Sequence, residues 1–350
     1  MSKFHTLKIQ QLDKITEKAV KISFDVPKDL EADYQFKAGQ YITIKKKLDG
    51  EEIRRDYSIC SPAHGDKLEV AVKVFEKGRF SSYANTVLEV GDSLEVSLPH
   101  GRFVLETDPN NDRTVVAFAA GSGITPIMSI IKTLLAEEPK SKMVLVYGNK
   151  HVKDAMFFND LLTLQLYYPK RFGLNFVYSQ TEEDNALFGR IDKSVVNYVV
   201  KNKYKEEAFD SFYICGPEGM INTVKDVLIE DGITQDRIHF ELFTTTSTIE
   251  TKPVASDGDT NVTVILDDEE TSFTMSRGQT ILEAALKNNI DAPYSCQGGV
   301  CCSCMARLKE GEATMIQNSV LTDGEIAEGL ILTCQAQPTT STIIVDYDDI

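Results

Sequence analysis

The stretch CQGGVCCSC, residues 296–304, contains four of the seven cysteines in this 350-residue chain. A fifth, Cys334, follows Cys304 with 29 residues between them. An odd total that is crowded into one segment indicates metal chemistry rather than a framework of disulfide bonds. The fold of the last part of the chain must therefore bring a distant cysteine back to this loop.

Three cysteines of the stretch have the spacing C-x4-C-x2-C, which is that of the plant-type [2Fe-2S] ferredoxins. Two irons and two sulfides need four soft, anionic ligands, with backbone N–H groups close to the sulfurs. Gly298 and Gly299 provide the close backbone approach and the positive φ angles that such a loop requires. The predicted ligands are Cys296, Cys301, Cys304 and Cys334.

Two other types of cysteine site are less consistent with this pattern. A zinc ribbon has two C-x2-C pairs, whereas only Cys301 and Cys304 form such a pair here. A redox C-x-x-C motif would leave Cys296 and Cys334 unexplained. Cys302 lies between the ligands, and we interpret it as a spare thiol.

Charge and hydropathy exclude several classes of protein. The chain has 37 basic and 53 acidic residues, a net charge of -16, which argues against nucleic acid or an anionic membrane as its partner. Residues 260–350 carry -10 of that charge, with 4 basic and 14 acidic residues. The sequence shows neither an apolar run long enough to span a bilayer nor a signal-peptide pattern, so we expect a cytoplasmic protein.

The pattern of apolar residues changes twice along the chain. Short alternating runs up to about residue 100 predict a small antiparallel barrel or sandwich. From Arg113 onward buried strands alternate with amphipathic helices, which predicts a parallel sheet in an α/β layer. After a Thr-, Ser- and Pro-containing stretch, a hairpin, a helix and a final strand are predicted. The predicted divisions are a barrel at 1–107, an α/β domain at 108–243, a linker at 244–259 and a cysteine-bearing domain at 260–350.

Two glycine-containing turns follow predicted strands of the α/β part. Gly121-Ser122-Gly123 comes after the strand TVVAFAA and opens a helix, where backbone N–H groups and the helix dipole favour an anion. Cys215-Gly216-Pro217 comes after the strand FYI. Ligands of open α/β sheets bind at such strand ends, so the two turns predict one nucleotide site.

Two further motifs lie in the barrel part, and together the four identify a family. The tetrapeptide RDYS, residues 55–58, offers a guanidinium, an aromatic ring and a hydroxyl, and GRFSS follows at 78–82. In the order RDYS, GRFSS, GSGITP and CGPEGM, residues 1–243 resemble the ferredoxin-NADP reductase superfamily. The last 90 or so residues resemble plant-type ferredoxins of the α+β β-grasp fold. The resemblance implies an FAD-binding barrel, an NAD(P)-binding domain and a [2Fe-2S] domain.

The resemblance also implies roles for individual residues. In the barrel, it assigns the flavin pyrophosphate to Arg55, the flavin ring to Tyr57 and the region near flavin N5 to Ser58. It assigns the ribityl chain to Val72 and Val74, and the turn that supports the pyrophosphate to Phe80, Ser81 and Ser82. In the α/β part, it assigns flavin proximity to Thr125, the nucleotide pyrophosphate to Gly121, Ser122 and Gly123, and the nicotinamide to Cys215, Gly216 and Pro217. Glu241 and Phe243 resemble the acidic and aromatic residues at the end of the reductase part. Among these, Tyr57, Ser58, Cys215 and Glu241 are the expected catalytic residues.

The order of reductase then ferredoxin resembles the reductase components of multicomponent oxygenases, and most of all the family of ring-1,2-phenylacetyl-CoA epoxidase reductases. That resemblance implies electron flow from NADPH (or NADH) through FAD and the cluster to a separate di-iron oxygenase. Reductases of Rieske-type or steroid hydroxylases share the motifs and remain an alternative, as does a redox sensor or carrier without turnover. Lys150 and Arg190, near expected strand ends, favour the 2′-phosphate of NADPH.

Overall fold

The computed structural model describes residues 3–243 and 258–350 of the chain. These residues form two compact units, one spanning Phe4–Glu241 and the other built on Leu242–Ile350. The predicted linker at 244–259 lies almost wholly outside the described residues. Within the described residues, no helix is long and apolar enough to cross a membrane.

The first part of the larger unit is a six-stranded antiparallel sheet. Its strands are β1 (Phe4–Thr16), β2 (Ala19–Asp25), β3 (Tyr41–Leu48), β4 (Glu51–Ser58), β5 (Leu68–Lys73) and β6 (Ser93–Ser97). They lie in the order β4-β3-β6-β1-β2-β5, and a bridge between Ile59 and Val70 joins the two edges. The sheet therefore closes on itself around a core of buried aliphatic side chains, as the alternating sequence pattern predicts.

The barrel contains one helix that the sequence analysis does not predict. Helix α1 (Arg79–Thr86) begins directly after Gly78, so the GRFSS motif forms the first turn of a helix. A Cβ atom at Gly78 would lie 3.1 Å from the Phe75 carbonyl oxygen, which explains the glycine at this tight approach. The helix spans only eight residues and is polar on average, so a search for longer apolar segments does not find it.

The second part of the larger unit is a six-stranded parallel sheet flanked by helices. Its elements are β7 (Thr114–Ala120), α2 (Ile124–Glu137), β8 (Lys142–Asn149), α3 (Phe158–Tyr167), β9 (Phe172–Tyr178), β10 (Leu187–Phe188), α4 (Lys193–Asn197), β11 (Ser211–Cys215), α5 (Glu218–Glu230) and β12 (Ile238–Glu241). A π-helical turn, Tyr198–Lys203, continues α4. The continuous apolar runs of β7 and β8 are buried on both faces, as in other parallel sheets.

The strand order of this sheet reverses at β7. The order is β10-β9-β8-β7-β11-β12, so the chain proceeds to β8 on one side of β7 and later to β11 on the other. Ligands of open α/β sheets bind in the crevice outside such a reversal, at the carboxyl ends of the strands. The two glycine-containing turns predicted from sequence follow β7 and β11, and therefore border this crevice.

The C-terminal unit is an α+β fold on a mixed five-stranded sheet. Its elements are β13 (Asp259–Leu266), β14 (Glu269–Ser276), α6 (Ile281–Lys287), β15 (Met305–Glu310), β16 (Ala313–Met315), α7 (Asp323–Ala327), β17 (Leu330–Leu332), β18 (Ala336–Pro338) and β19 (Thr342–Asp346). The sheet order is β14-β13-β19-β15-β17, with β16 and β18 forming a separate ribbon. The predicted hairpin, helix and last strand are β13–β14, α6 and β19. The cysteine loop runs between α6 and β15, and Cys334 lies between β17 and β18.

Candidate functional site

The turns after β7 and β11 are in direct backbone contact. A Cβ atom on Gly123 would lie against the carbonyl oxygen of Cys215 and 2.8 Å from the backbone nitrogen of Gly216. A Cβ atom on Gly216 would lie 3.1 Å from the Cβ of Ala120. Gly121 has φ +56°, which favours glycine. These glycines keep the two turns close together and leave the crevice open for a ligand.

A lysine from the barrel reaches the turn after β7, and sequence reasoning missed it. The Lys73 Nζ lies 3.7 Å from the position that a Cβ of Gly121 would occupy. Burial is the main influence on the Lys73 amine and lowers its pKa, while Asp154 acts in the opposite direction. The hydroxyl of Tyr147 donates to the Gly121 carbonyl at 3.0 Å and fixes the turn. A cation beside a glycine turn is suited to a phosphate anion.

The neighbouring strand ends carry polar groups that suit a nucleotide. Tyr178, at the end of β9, is 2% exposed, and its hydroxyl has no hydrogen-bond partner among the described residues. Buried hydroxyls are normally hydrogen-bonded, so this one indicates a ligand contact. Asn149 is paired with Tyr178 across β8 and β9. Lys150 and Arg190, which were predicted to bind the 2′-phosphate, are both exposed near this edge.

The RDYS motif lies on β4, at the end that faces the parallel sheet. Arg55 is exposed, and its Nη1 donates to the Arg54 carbonyl at 2.6 Å. The Tyr57 ring packs against Phe80, with ring centroids 5.5 Å apart, and burial raises the pKa of its hydroxyl. Alternation along the strand places Tyr57 and Ser58 on opposite faces. The exposed guanidinium and the ordered ring are consistent with a bound flavin and its pyrophosphate.

Three of the expected catalytic residues come together from distant parts of the sequence. The Ser58 Oγ donates to the Glu241 Oε2 at 3.2 Å, across 183 positions of the chain. Cys215 pairs with Glu241 in the register of β11 and β12. Burial, opposed by the hydrogen bond from Ser58 and helped by the nearby Asp56, raises the pKa of Glu241 to about 8. Burial, and to a smaller extent Glu241, raises the pKa of the Cys215 thiol. The Cys215 thiol and the Glu241 carboxyl therefore hold their protons at neutral pH.

Several side chains predicted to contact the flavin instead pack or form hydrogen bonds within the barrel. Val72 and Phe80 are 0% and 2% exposed and belong to the barrel core, so their side chains pack inside the barrel. Val74 lies just beyond the end of β5. The Ser81 Oγ accepts a hydrogen bond from the Phe75 N–H at 3.1 Å, which leaves the partly exposed Ser82 as the more available hydroxyl.

Three other residues predicted to contact a cofactor lie at or near the ends of helices and strands. Thr125 is buried at the start of α2, and its hydroxyl donates to the Ser122 carbonyl at 3.0 Å. Pro217 is the residue that precedes α5, where a proline is well tolerated. Phe243 is partly buried two residues after β12 ends.

The four predicted cluster ligands form two pairs in the C-terminal unit. The sulfurs of Cys296 and Cys301 are 3.1 Å apart, and the thiols of Cys304 and Cys334 are hydrogen-bonding neighbours. Among the described residues, no group of three or more metal-binding side chains surrounds a single point. Two thiol pairs match a group with two irons, each needing two cysteines, and do not match one tetrahedral zinc ion.

The backbone of the cysteine loop corrects one detail of the sequence analysis. Positive φ angles occur at Gly299 (+69°) and at the non-glycine Gln297 (+52°), but not at Gly298. The N–H of Gly298 instead donates to the Cys296 sulfur at 3.3 Å. A Cβ atom at Gly299 would lie 2.7 Å from the Gln317 carbonyl oxygen, so this glycine provides the close approach.

The remaining cysteines differ from the four ligands. Cys60 is fully buried in the barrel region, and burial raises its pKa to about 12, which is consistent with a packing role and not with a nucleophile. Cys302 is partly exposed in the cysteine loop and packs against the core of the C-terminal unit. Among the described residues, no disulfide bond joins any two cysteines.

Three family models match successive parts of the chain. Residues 6–105 match an oxidoreductase FAD-binding domain, and residues 118–226 match an oxidoreductase NAD-binding domain. Residues 264–339 match a 2Fe-2S iron-sulfur cluster binding domain. The predicted cofactors are thereby confirmed: FAD, a nicotinamide nucleotide and a [2Fe-2S] cluster. The zinc and thioredoxin-like alternatives are wrong.

The chain is also similar to full-length proteins. It is 38% identical to one of the subunits of the 1,2-phenylacetyl-CoA epoxidase of Escherichia coli (strain K12), covering 99% of each chain. It is 33% identical to the ferredoxin reductase component of the 3-ketosteroid-9-alpha-monooxygenase of Rhodococcus rhodochrous, covering 93% of this chain and 92% of that one. Among solved structures, phthalate dioxygenase reductase matches with a TM-score of 0.61 and 26% identity over 98% of both chains.

Proposed function

This chain belongs to the family of NAD(P)H-dependent reductases that contain FAD and a [2Fe-2S] cluster, and we propose that it serves a phenylacetyl-CoA epoxidase system. In that system it supplies electrons to the oxygenase. The observation that carries the proposal is the 38% identity to one of the subunits of such an epoxidase, over 99% of both chains. The FAD-binding, NAD-binding and [2Fe-2S] domains follow one another in that order along this chain. We therefore assign residues 1–107 to flavin binding, 108–243 to the nucleotide and 260–350 to the cluster.

The nucleotide occupies the crevice outside β7 and β11. Gly121, Ser122 and Gly123 receive its pyrophosphate, and Lys73 lies close enough to that turn to neutralise the charge. Cys215, Gly216 and Pro217 form the opposite wall and receive the nicotinamide. The contact of the two turns through Gly123 limits the width of the crevice and orients the ring.

On the barrel side, Arg55 binds the flavin pyrophosphate, Tyr57 stacks on the ring and Ser58 donates a hydrogen bond near N5. Cys296, Cys301, Cys304 and Cys334 would hold the cluster, and a bound flavin would supply the conversion of a two-electron hydride donor into single electrons. Ser58, Cys215 and Glu241 surround the place where ring and nicotinamide meet. The raised pKa values of Glu241 and Cys215 keep a proton available at the Glu241 carboxyl and exclude a charge from this site.

The preferred donor is NADPH. The exposed cations Lys150 and Arg190 lie at the sheet edge beside Tyr178 and Asn149, where a 2′-phosphate on the adenine ribose requires positive charge. NADH lacks that phosphate and gains less from the two cations. The unpartnered Tyr178 hydroxyl supplies a further hydrogen bond at this edge.

The electron acceptor is a separate di-iron oxygenase component, and its docking surface is basic. The cluster-bearing residues 260–350 carry a net charge of -10. Complementary charge accelerates the encounter of redox partners, and salt weakens it. The cluster requires four cysteines as reduced thiolates, which fits a reducing compartment, so we place the protein in the cytoplasm.

The test mixes the purified flavin- and cluster-loaded protein anaerobically with NADPH and then adds the oxygenase component of a phenylacetyl-CoA epoxidase. We expect NADPH to bleach both flavin and cluster absorption, and addition of oxygenase, phenylacetyl-CoA and oxygen to yield the epoxide. A protein that is reduced by NADPH but passes no electrons to this oxygenase contradicts the proposed partner. Transfer that stays constant from low to high salt contradicts the electrostatic docking.

The second candidate is the reductase of a steroid hydroxylase. It is favoured by the 33% identity to the 3-ketosteroid-9-alpha-monooxygenase reductase component over 93% of this chain. The same assay with a steroid oxygenase component in place of the epoxidase distinguishes the two. A faster transfer to the steroid oxygenase would reverse our assignment.

A further inference from the structure

Both sequence neighbours of Cys334 are hydrogen-bonded to the cysteine loop. The Thr333 Oγ1 donates to the carbonyl of Cys304 at 2.9 Å, and the Gln335 Nε2 donates to the carbonyl of Gln297 at 2.9 Å. The fourth ligand and the loop that carries the other three are therefore joined by two side-chain bonds. Nothing in the sequence motif requires either of them.

Gln335 is placed for more than packing. It is 9% exposed, so its hydrogen bond to the Gln297 carbonyl is shielded from water. Its Cγ would lie 3.1 Å from a Cβ on Gly299, so the side chain lies flat against the loop.

The peptide unit that Gln335 contacts also bonds the Cys296 sulfur. The carbonyl of Gln297 and the N–H of Gly298 belong to one planar peptide group, so fixing the first fixes the second. That N–H donates to the Cys296 sulfur at 3.3 Å. Gln297 has φ +52°, an unfavourable backbone angle for a non-glycine residue, which the bond from Gln335 helps to maintain.

We propose that Gln335 is a positioning residue that sets the reduction potential of the cluster by holding the Gln297–Gly298 peptide with its N–H towards the Cys296 sulfur. Hydrogen bonds to the ligand sulfurs stabilise the additional negative charge of the reduced cluster and so raise its potential. The inference rests on the ligand assignment made under the proposed function.

The test compares Gln335→Met with the matched variant Gln337→Met in the full-length, cofactor-loaded protein. Gln337 is 5% exposed, and its Nε2 donates to the Gly278 carbonyl at 2.9 Å, away from the cysteine loop. Both substitutions remove a buried amide and keep a similar volume. Anaerobic redox titrations followed by electron paramagnetic resonance (EPR) measure the cluster potential and g-values.

For Gln335→Met we expect changed g-values and a reduction equilibrium about tenfold less favourable, which equals a lowering of about 59 mV for one electron. Gln337→Met should match the parent protein. If the two variants have the same cluster potential and g-values, whether or not these differ from those of the parent protein, the inference is overturned.

A second variant covers the case in which Gln335→Met fails to load its cluster. Gln335→Glu has the same shape but replaces the donor by an acceptor, and we expect a lowering of potential at least as large. A parental potential in Gln335→Glu overturns the inference while leaving the proposed function intact. A parent protein that loads no [2Fe-2S] cluster overturns both.

Discussion

Three of the four proposed cluster ligands lie within nine consecutive residues, 296–304, whereas the proposed flavin and nucleotide residues are spread from Arg55 to Glu241. The proposed ligand set draws on only one segment outside this loop, the segment around Cys334. The crevice instead depends on β4, β7, β11 and β12 meeting at one place, as the Ser58 to Glu241 bond illustrates. A site of the first kind is encoded mainly by local spacing, and a site of the second kind by topology. The two regions should therefore respond differently to substitution.

The largest expected effect separates the two regions completely. Cys334→Ser removes the one ligand from outside the loop, so we expect loss of the cluster and at least an about 100-fold fall in electron delivery to the oxygenase. NADPH-dependent reduction of ferricyanide through the flavin should persist. Iron content and EPR measure the first effect, and steady-state absorbance the second.

Cys302→Ser is the matched control, because it changes a thiol in the same loop that we do not assign as a ligand. It should retain iron and activity. Loss of the cluster in this variant, with retention in Cys334→Ser, would exchange the two assignments.

The second effect belongs to the crevice and concerns pH. The pKa of Glu241 is about 8 in the folded protein, against 4.5 for a free carboxyl, so the folded state binds the proton more tightly. Stability from this group is complete below about pH 4.5 and is lost as the pH rises towards 8. For the partly exposed group, the slope is on the order of 1 kcal/mol per pH unit.

Glu241→Gln should remove this part of the pH dependence and leave the cluster spectrum unchanged. Thermal unfolding of the flavin-loaded protein from pH 5 to pH 8, followed by flavin fluorescence, measures it. Parallel curves for the parent protein and Glu241→Gln would show that the carboxyl titrates normally.

The third effect tests how closely the two turns of the crevice approach each other. Gly123→Ala places a methyl group against the Cys215 carbonyl, and we expect a destabilisation of about 1–3 kcal/mol together with weaker nucleotide binding. Chemical denaturation and nucleotide titration measure the two quantities.

Gly219→Ala is the control within the same region. A Cβ atom at Gly219, in α5, would meet nothing within 4 Å. Because alanine favours helix, this variant should be more stable by about 0.5–1 kcal/mol. Similar losses in both variants would mean that the contact through Gly123 does not control the crevice.

The smallest effect distinguishes two parts of the nucleotide site. Neutralising Lys150 and Arg190 with glutamine should raise the KM for NADPH about tenfold and leave the KM for NADH nearly unchanged, since one charged contact contributes about 1.4 kcal/mol or more. Lys73→Gln should instead raise both KM values, because the pyrophosphate is common to both nucleotides. Steady-state kinetics with each nucleotide measures these changes, and equal effects of Lys150 and Arg190 on both would contradict the NADPH assignment.

Prediction from sequence succeeded where a motif is local. The antiparallel barrel and the parallel sheet follow from apolar periodicity, and the cluster follows from the C-x4-C-x2-C spacing. The α+β ferredoxin fold and the FAD cofactor follow from the family that the motifs resemble. It failed where one residue acts through a distant partner. Lys73 carried no signal because it is an ordinary strand lysine until the barrel packs beside Gly121, and Gln335 carried none because its partner, Gln297, is 38 positions away.

The sequence by itself determined the class of each domain and, through short motifs and the family that they resemble, the cofactors. It also predicted the ligand set of the cluster, because that set depends on residue type and short-range spacing. Only the tertiary structure decided which side chains are available to a ligand. Val72 and Phe80 match the family motif but point into the barrel core, while the protonated Glu241 beside Cys215 exists only because β12 pairs with β11. Burial and charge proximity set pKa values and hydrogen-bond directions, and both are properties of the folded chain.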